Sequence, residues 1–254
     1  NIWGCTTEPR RVILQQESNP VAYEDEFITL MDVETGQPIY NKSVSEIFFE
    51  NNQRYMVYGF ANTTHNDIHR DPLHLNDIEP VLADGKYWRK NDLFLSFRHR
   101  ALVMQYRPST NKIIRFIQGE FLKQHDVDIL NDSTISVFNN DGTNVGTTLI
   151  PIWEVENKPI LDTFDYSNIV QYHFEDSSFS YHFKDHFDQH KIYTEYQGFH
   201  QYLNNGLVYI EDYQNGVMYF MNNEEVIYKA QGPNRLDNLV ENPHWVRIYE
   251  NIDF

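Results

Sequence analysis

Three histidines stand where three similar stretches of the chain begin. His74 opens "HLNDIEPVLADG", His125 opens "HDVDILND" and His200 opens "HQYLNNG". Each stretch passes from a polar start to a leucine and then a short turn, and Gln124 stands directly before His125. Imidazole is a competent nucleophile and proton carrier near neutral pH. Three of them at equivalent places could therefore act together on one small substrate. The plainer alternative is that each imidazole satisfies a neighbouring carbonyl at a strand end. Two further groupings carry possible ligands. "HFKDHFDQH" sets His182, His186 and His190 four residues apart, so that a helix would place them on one face for a transition metal. "HNDIHRDPLH" gathers His65, His69 and His74 with Asp67 and Asp71, a conceivable hard-ion set. A solvated insertion loop and a polar lead-in loop are the simpler readings, and no metal is expected.

The elements that must position these residues read as strands. The chain is 15% aromatic, with 17 Tyr and 17 Phe, residues that suit pleated, half-buried surfaces. "EFITLMDVETGQPIY" predicts a hairpin. "DLFLSFRHRALVMQYRPSTNKIIRFIQ" predicts three short strands broken at "RHR" and "PSTN", and "GLVYIEDYQNGVMYFMNNEEVIYKAQ" repeats that plan with turns at "YQNG" and "NNEE". Helices are minor. Weak self-similarity at ~40–50 residues, with four strands per unit, is the pattern of propeller blades. The expected fold is all-β, a single β-propeller of about five or six four-stranded blades over residues 1–254. The histidine spacings of 51 and 75 residues place an irregular insertion at about 145–196. A β-sandwich competes, but gives no reason to repeat a histidine at each unit's first strand. In a propeller the first strands line the central channel, so His74, His125 and His200 would meet at its mouth.

Composition narrows the partners. The formal net charge is −17, which argues against a partner held by phosphate neutralisation such as DNA. A local positive site for a small anion remains open. Cys5 is the single cysteine, so no internal disulfide is expected. No apolar run approaches the ~20 residues that cross a bilayer. "NIWGC" has some likeness to the end of a lipoprotein signal with Cys5 as the lipid-bearing residue; an extended terminal segment is the other reading.

Several stretches together resemble the arylsulfotransferase family. They are "DPLHLND", "LFLSFRH" followed by "YRPSTNKIIRFIQG", "KQHDVDILNDSTISVFNND", the hairpin "MDVETGQPIY" and the later "YQGFHQYLNNGLVYIEDYQNGVMYFMNNEEVIY". The likeness covers roughly residues 27–140 and 196–230. It implies a β-propeller that moves a sulfuryl group from one phenolic ester to another phenol through a histidine, with no nucleotide or other cofactor, in the periplasm or outside the cell. By resemblance His74 and Asn76 match the family's H-x-N lead-in, Arg98 its S-x-R strand, and Gln124 and His125 its Q-H lead-in. His125, His74 and Arg98 would be catalytic, His200 a loose match to the modified histidine, and Asn76, Gln124 and Asn140 substrate-binding.

The chain departs from the family's pattern in two places. The run "FNNDGTN" has Asn144 near the place where the family has an arginine, and no arginine, and "STNKIIRF" lacks the glycine and tryptophan of the family's corresponding turn. Two functions follow: an active sulfotransferase acting on aryl sulfates and phenols, or a decayed propeller serving as a binding or accessory subunit with a protein partner.

Overall fold

A computed structural model describes residues 1–12, 21–58, 70–141, 166–232, 234–236, 239–240 and 245–249. Asn144, His65, Asp67 and His69 lie outside the described residues, as does 145–165 of the expected insertion.

The second stretch read as three strands behaves as its composition dictates. Strand β5 (Leu93–Phe97) is buried at every position, and β6 (Leu102–Arg107) is buried at all but its last. Such unbroken burial belongs to inner strands covered on both faces. The outer strand β7 (Lys112–Ile117) carries exposed residues at Lys112 and Ile114, the sign of a face left in water. With β4 (Leu75–Pro80) these form a sheet of order β4-β5-β6-β7, each adjacent pair antiparallel. The breaks fall where the sequence puts them: a 3-10 turn over Arg98–Arg100 and another over Pro108–Thr110, each closed by a left-handed residue, Ala101 and Asn111.

The same build recurs. Strands β1 (Ile2–Val12), β2 (Val21–Met31) and β3 (Pro38–Ser43) make a three-stranded sheet. Strands β8 (His125–Asn131), β9 (Thr134–Asn139), β10 (Asn168–His173) and β11 (Ser178–His182) make one of order β11-β10-β9-β8. Strands β12 (Phe199–Tyr202), β13 (Val208–Asp212), β14 (Val217–Met221) and β15 (Val226–Gln231) make another in sequence order. A short pair, β16 (Asn234–Leu236) and β17 (Leu239–Val240), follows. Helices are few among the described residues: α1 (Val44–Glu50), α2 (Tyr55–Tyr58) and α3 (Lys184–His190). The fold is all-β and propeller-like, built from sequential antiparallel sheets of three or four strands.

The first strands share a backbone device. His74 (φ 58°) precedes β4, Lys123 (φ 54°) stands two residues before β8, and Gln197 and Gly198 (φ 60° and 99°) precede β12. A left-handed residue turns the chain sharply into each first strand. At Gly198 no side chain fits, because a Cβ would lie 2.3 Å from the Phe138 ring.

The chain divides into two compact units. The first comprises 1–120, 124–137 and 172–179, the second 121–123, 138–171 and 180–254. The first is centred on Ile47, Phe48, Leu93, Leu95, Phe97, Leu102 and Met104. Within it β8 packs beside β4 and β5, so the leading strands of two sheets are neighbours. The second unit is centred on Phe138, Ile169, Phe187, Ile210 and Met221. No helix among the described residues is long and apolar enough to cross a membrane.

Candidate active site

The corner ahead of β4 is held by backbone. Arg98 N–H donates to the His74 carbonyl at 3.0 Å, and His99 N–H donates to the Leu73 carbonyl at 3.1 Å. The turn carrying Arg98, His99 and Arg100 is thereby fastened to the segment carrying Asp71 and His74. Gln124 fastens the same turn from behind. It is fully buried, and its Nε2 lies 3.1 Å from Ser96 Oγ, 3.2 Å from the Phe97 carbonyl and 3.1 Å from the Leu102 carbonyl. Asn76 Nδ2 donates to the Gln124 carbonyl at 2.7 Å, joining β4 to the lead-in of β8.

Chemistry gathers on this frame. Asp71 Oδ2 accepts from His74 Nδ1. The His74 and His99 rings lie 4.5 Å apart, inclined by 33°. His99 Nδ1 donates to the Asp71 carbonyl at 2.8 Å, which leaves Nε2 as acceptor for Arg98 Nη1 at 3.1 Å. Burial, with His74 and the Arg98 guanidinium nearby, holds the His99 imidazole below its usual value against the pull of its bond to the Asp71 carbonyl. His99 is thus a neutral acceptor that orients the guanidinium. The side chains of His74, His99 and Asp71 are 42%, 29% and 23% exposed, so solutes reach the corner.

Two flanking carboxyls carry less charge than the composition implies. Burial pushes Glu26 up to about 8, reinforced by Asp71 and Asp25, against the pull of its hydrogen bond from Leu75 N–H. Burial, then Asp126 and Asp128, pushes Asp77 up to about 8, although Val127 N–H donates to it at 2.7 Å.

Asp71, His74 and His99 also present one ligand atom each within 4.8 Å of one another. Such a set can hold a transition metal. Here both His99 nitrogens are engaged, one by a cationic guanidinium, and the arrangement suits an anion better than a cation. The helical three-histidine set is overturned as a unit. His182 ends β11 and Phe183 is left-handed, so α3 begins only at Lys184. His182 Nε2 then meets Asn223 Oδ1 at 3.2 Å and His186 Nε2 the Asn222 carbonyl at 3.0 Å.

The remaining sequence-derived residues fall as follows. His125 is the first residue of β8 and only 5% exposed. His200 and Asn140 belong to the second unit and are fully buried. Asn140 Nδ2 donates to the Thr194 and Gln197 carbonyls at 2.8 and 2.6 Å. The His200 ring stands edge-on to Tyr202 at 5.7 Å. His99 was missed as a site residue, and Asp71 was read only as one member of a hard-ion set with His65, Asp67, His69 and His74. Their signal was local: Asp71 lies three residues before His74 in "DPLH", and His99 follows Arg98 in "RHR".

No curated protein matches the chain. A sequence model of the family described as Arylsulfotransferase (ASST) matches residues 5–248, nearly the whole length. The strand plan, the H-x-N and Q-H lead-ins and this match agree: the chain belongs to the arylsulfotransferase family.

Proposed function

We propose that this protein transfers a sulfuryl group from an aryl sulfate to a phenol through a histidine, without a nucleotide donor, in the periplasm or outside the cell. The observation that carries the reading is the corner ahead of β4. There Arg98 Nη1 meets His99 Nε2, and the His99 ring lies beside the partly exposed imidazole of His74. Sulfuryl transfer resembles phosphoryl transfer, in which charge spreads over equatorial oxygens and catalysis is mainly positioning and electrostatic stabilisation. A guanidinium fork supplies the stabilisation, and imidazoles supply the nucleophile and the route for the phenol's proton. His125, beside Gln124 at the head of β8, serves as a second imidazole. The direct test is incubation with an aryl sulfate donor and a phenol acceptor. Turnover is expected, and His125→Ala should lower it by ~10²-fold or more, the scale of losing one stabilising group.

A second reading, a binding or accessory subunit with a protein partner, is favoured by one fact. The sequence has Asn144 and no arginine after the "FNNDG" turn. A charge-assisted hydrogen bond is roughly twice as strong as a neutral one. Folded protein that turns over no donor in a broad panel would establish this second reading.

A further inference from the structure

We propose that a cavity at the far end of β4 is a binding site for an uncharged, planar aromatic molecule that carries a carbonyl oxygen. The inference goes beyond sulfuryl transfer and does not depend on it. The cavity measures about 550 Å³, within the range of roughly 300–1,000 Å³ that suits small organic ligands. Its lining residues belong to the first compact unit. Pro80 ends β4 and lines the cavity, whereas His74 precedes the first residue of that strand. At ~3.3 Å per residue the two ends of β4 lie ~17 Å apart, so the cavity is separate from the corner that carries Arg98 and His99. One part of the lining is a row across the first sheet. Trp3 pairs with Leu30 and Leu30 with Tyr40, so the three side chains share a face. The Trp3 and Tyr40 rings meet edge to face, with 5.6 Å between centroids. Pro80, Leu82 and Pro108 add further apolar surface. A flat aromatic ligand extends such a ring pair in the offset or edge-on geometry that rings prefer.

Charge selects the ligand further. The chain has 37 acidic and 20 basic residues, yet no side chain in this lining is charged. Burial holds the Tyr40 phenol above its usual value, against the pull of its bond to Tyr106, so the lining stays uncharged at neutral pH. A charged ligand would lose hydration here and meet no opposite charge in return. The walls are also set in advance. The Tyr106 hydroxyl donates to Asn111 Oδ1 at 2.9 Å, so the Tyr40 hydroxyl donates to Tyr106, also at 2.9 Å. Tyr40 therefore offers the cavity its ring rather than a proton. Val81 N–H donates to the Asp92 carbonyl at 2.9 Å and Asn91 N–H to the Val81 carbonyl at 2.8 Å, which fixes the turn that carries Leu82. Walls that need no ordering on binding lower its entropic cost. The Trp3 indole N–H meets no acceptor among the described residues, and it can donate to the ligand's carbonyl.

The probe is coumarin, which is uncharged, planar and carbonyl-bearing, and is neither an aryl sulfate nor a phenol. In the full chain labelled with 5-fluorotryptophan, the Trp3 fluorine signal is assigned by its loss from Trp3→Phe. Titration with coumarin should move that signal saturably, with Kd on the order of 0.1–1 mM for a ligand of this size, and leave the Trp245 signal in place. Coumarin-3-carboxylate, the same ring system with a charge, should bind ~10-fold or more weakly. Leu82 is 78% exposed, so Leu82→Ser spares the fold; it should weaken coumarin binding by about 3–10-fold through lost apolar contact. No saturable shift at Trp3, equal affinity for the carboxylate, or a coumarin affinity that Leu82→Ser leaves at the wild-type value each overturns the inference. A shift at Trp3 with an uncharged proline-rich peptide and none with coumarin would assign the cavity to a protein partner, and overturns it likewise.

Discussion

Each compact unit contains a cluster of imidazoles among polar partners, and the two clusters are built to opposite ends. In the first unit His74 and His99 lie between a carboxylate, Asp71, and a guanidinium, Arg98. In the second unit His182 lies among neutral groups. Its Nδ1 is 2.7 Å from the Tyr202 hydroxyl and 3.1 Å from Gln171 Nε2, and its Nε2 is 3.2 Å from Asn223 Oδ1. The His182 and Tyr202 rings also run nearly parallel, at 12°. Burial, with His200 nearby, holds His182 below its usual value, so the second cluster is a neutral network. The same residue type is flanked by opposite charges in one place, and by neutral amides and a phenol in the other. Partner charge, more than the presence of histidine, separates the two clusters.

The sharpest way to break this comparison is to remove the charged partner in one cluster and the imidazole in the other. Arg98→Ala should lower kcat/KM for sulfuryl transfer by ~10²–10³-fold. His182→Gln should leave kcat/KM near wild type while lowering stability by about 1 kcal/mol in a denaturant titration. A larger kinetic loss from His182→Gln than from Arg98→Ala would reverse the assignment of the two clusters.

A smaller effect tests the frame behind the reactive corner. Gln124→Ala removes a buried amide whose Nε2 faces Ser96, Phe97 and Leu102, and leaves those acceptors unsatisfied. The expected loss is about 1–3 kcal/mol by denaturant titration, with activity falling because the Arg98–Arg100 turn loosens. If stability held while activity collapsed, Gln124 would be a substrate ligand rather than a strut.

The smallest expected effect concerns charge beneath the same corner. Asp77 has its folded value raised to about 8, well above an unfolded value near 3.9. The folded state therefore holds a proton that the unfolded state has released, and stability falls as pH rises from about 4 to about 8. Asp77→Asn keeps an acceptor for Val127 N–H and removes the titration. It should flatten this decline and raise the melting temperature at pH 8, by roughly 2–4 °C for each kcal/mol recovered. Melting curves across that range check the sign, and an unchanged slope would show that Asp77 titrates normally.

Much of the fold was legible because it follows from period and punctuation. "RHR" and "PST" fall where the sheet order β4-β5-β6-β7 needs its breaks, and "NNEE" lies between β14 and β15. The site was legible only as residue types at strand openings. The sequence placed Gln124 and Asn140 as ligands, whereas both amides meet framework carbonyls, and only three-dimensional proximity supplies those partners. Asp71 was read only as a hard-ion ligand, because its bond to His74 Nδ1 is a contact made in three dimensions. The helical reading of His182, His186 and His190 failed for a comparable reason. Spacing alone does not reveal that Phe183 breaks the chain direction between the first histidine and the other two.

The backbone at His74 has a consequence for how this protein can change. With φ at 58° the residue holds a conformation that costs an ordinary L-residue on the order of 1–2 kcal/mol and a glycine almost nothing. The imidazole is thus kept at a position where local energetics favour its replacement. A screen that rewards thermal stability alone would favour His74→Gly or His74→Asn at this backbone position. A lineage released from selection for the proposed transfer would drift the same way, losing the histidine early while the strands that surround it persist.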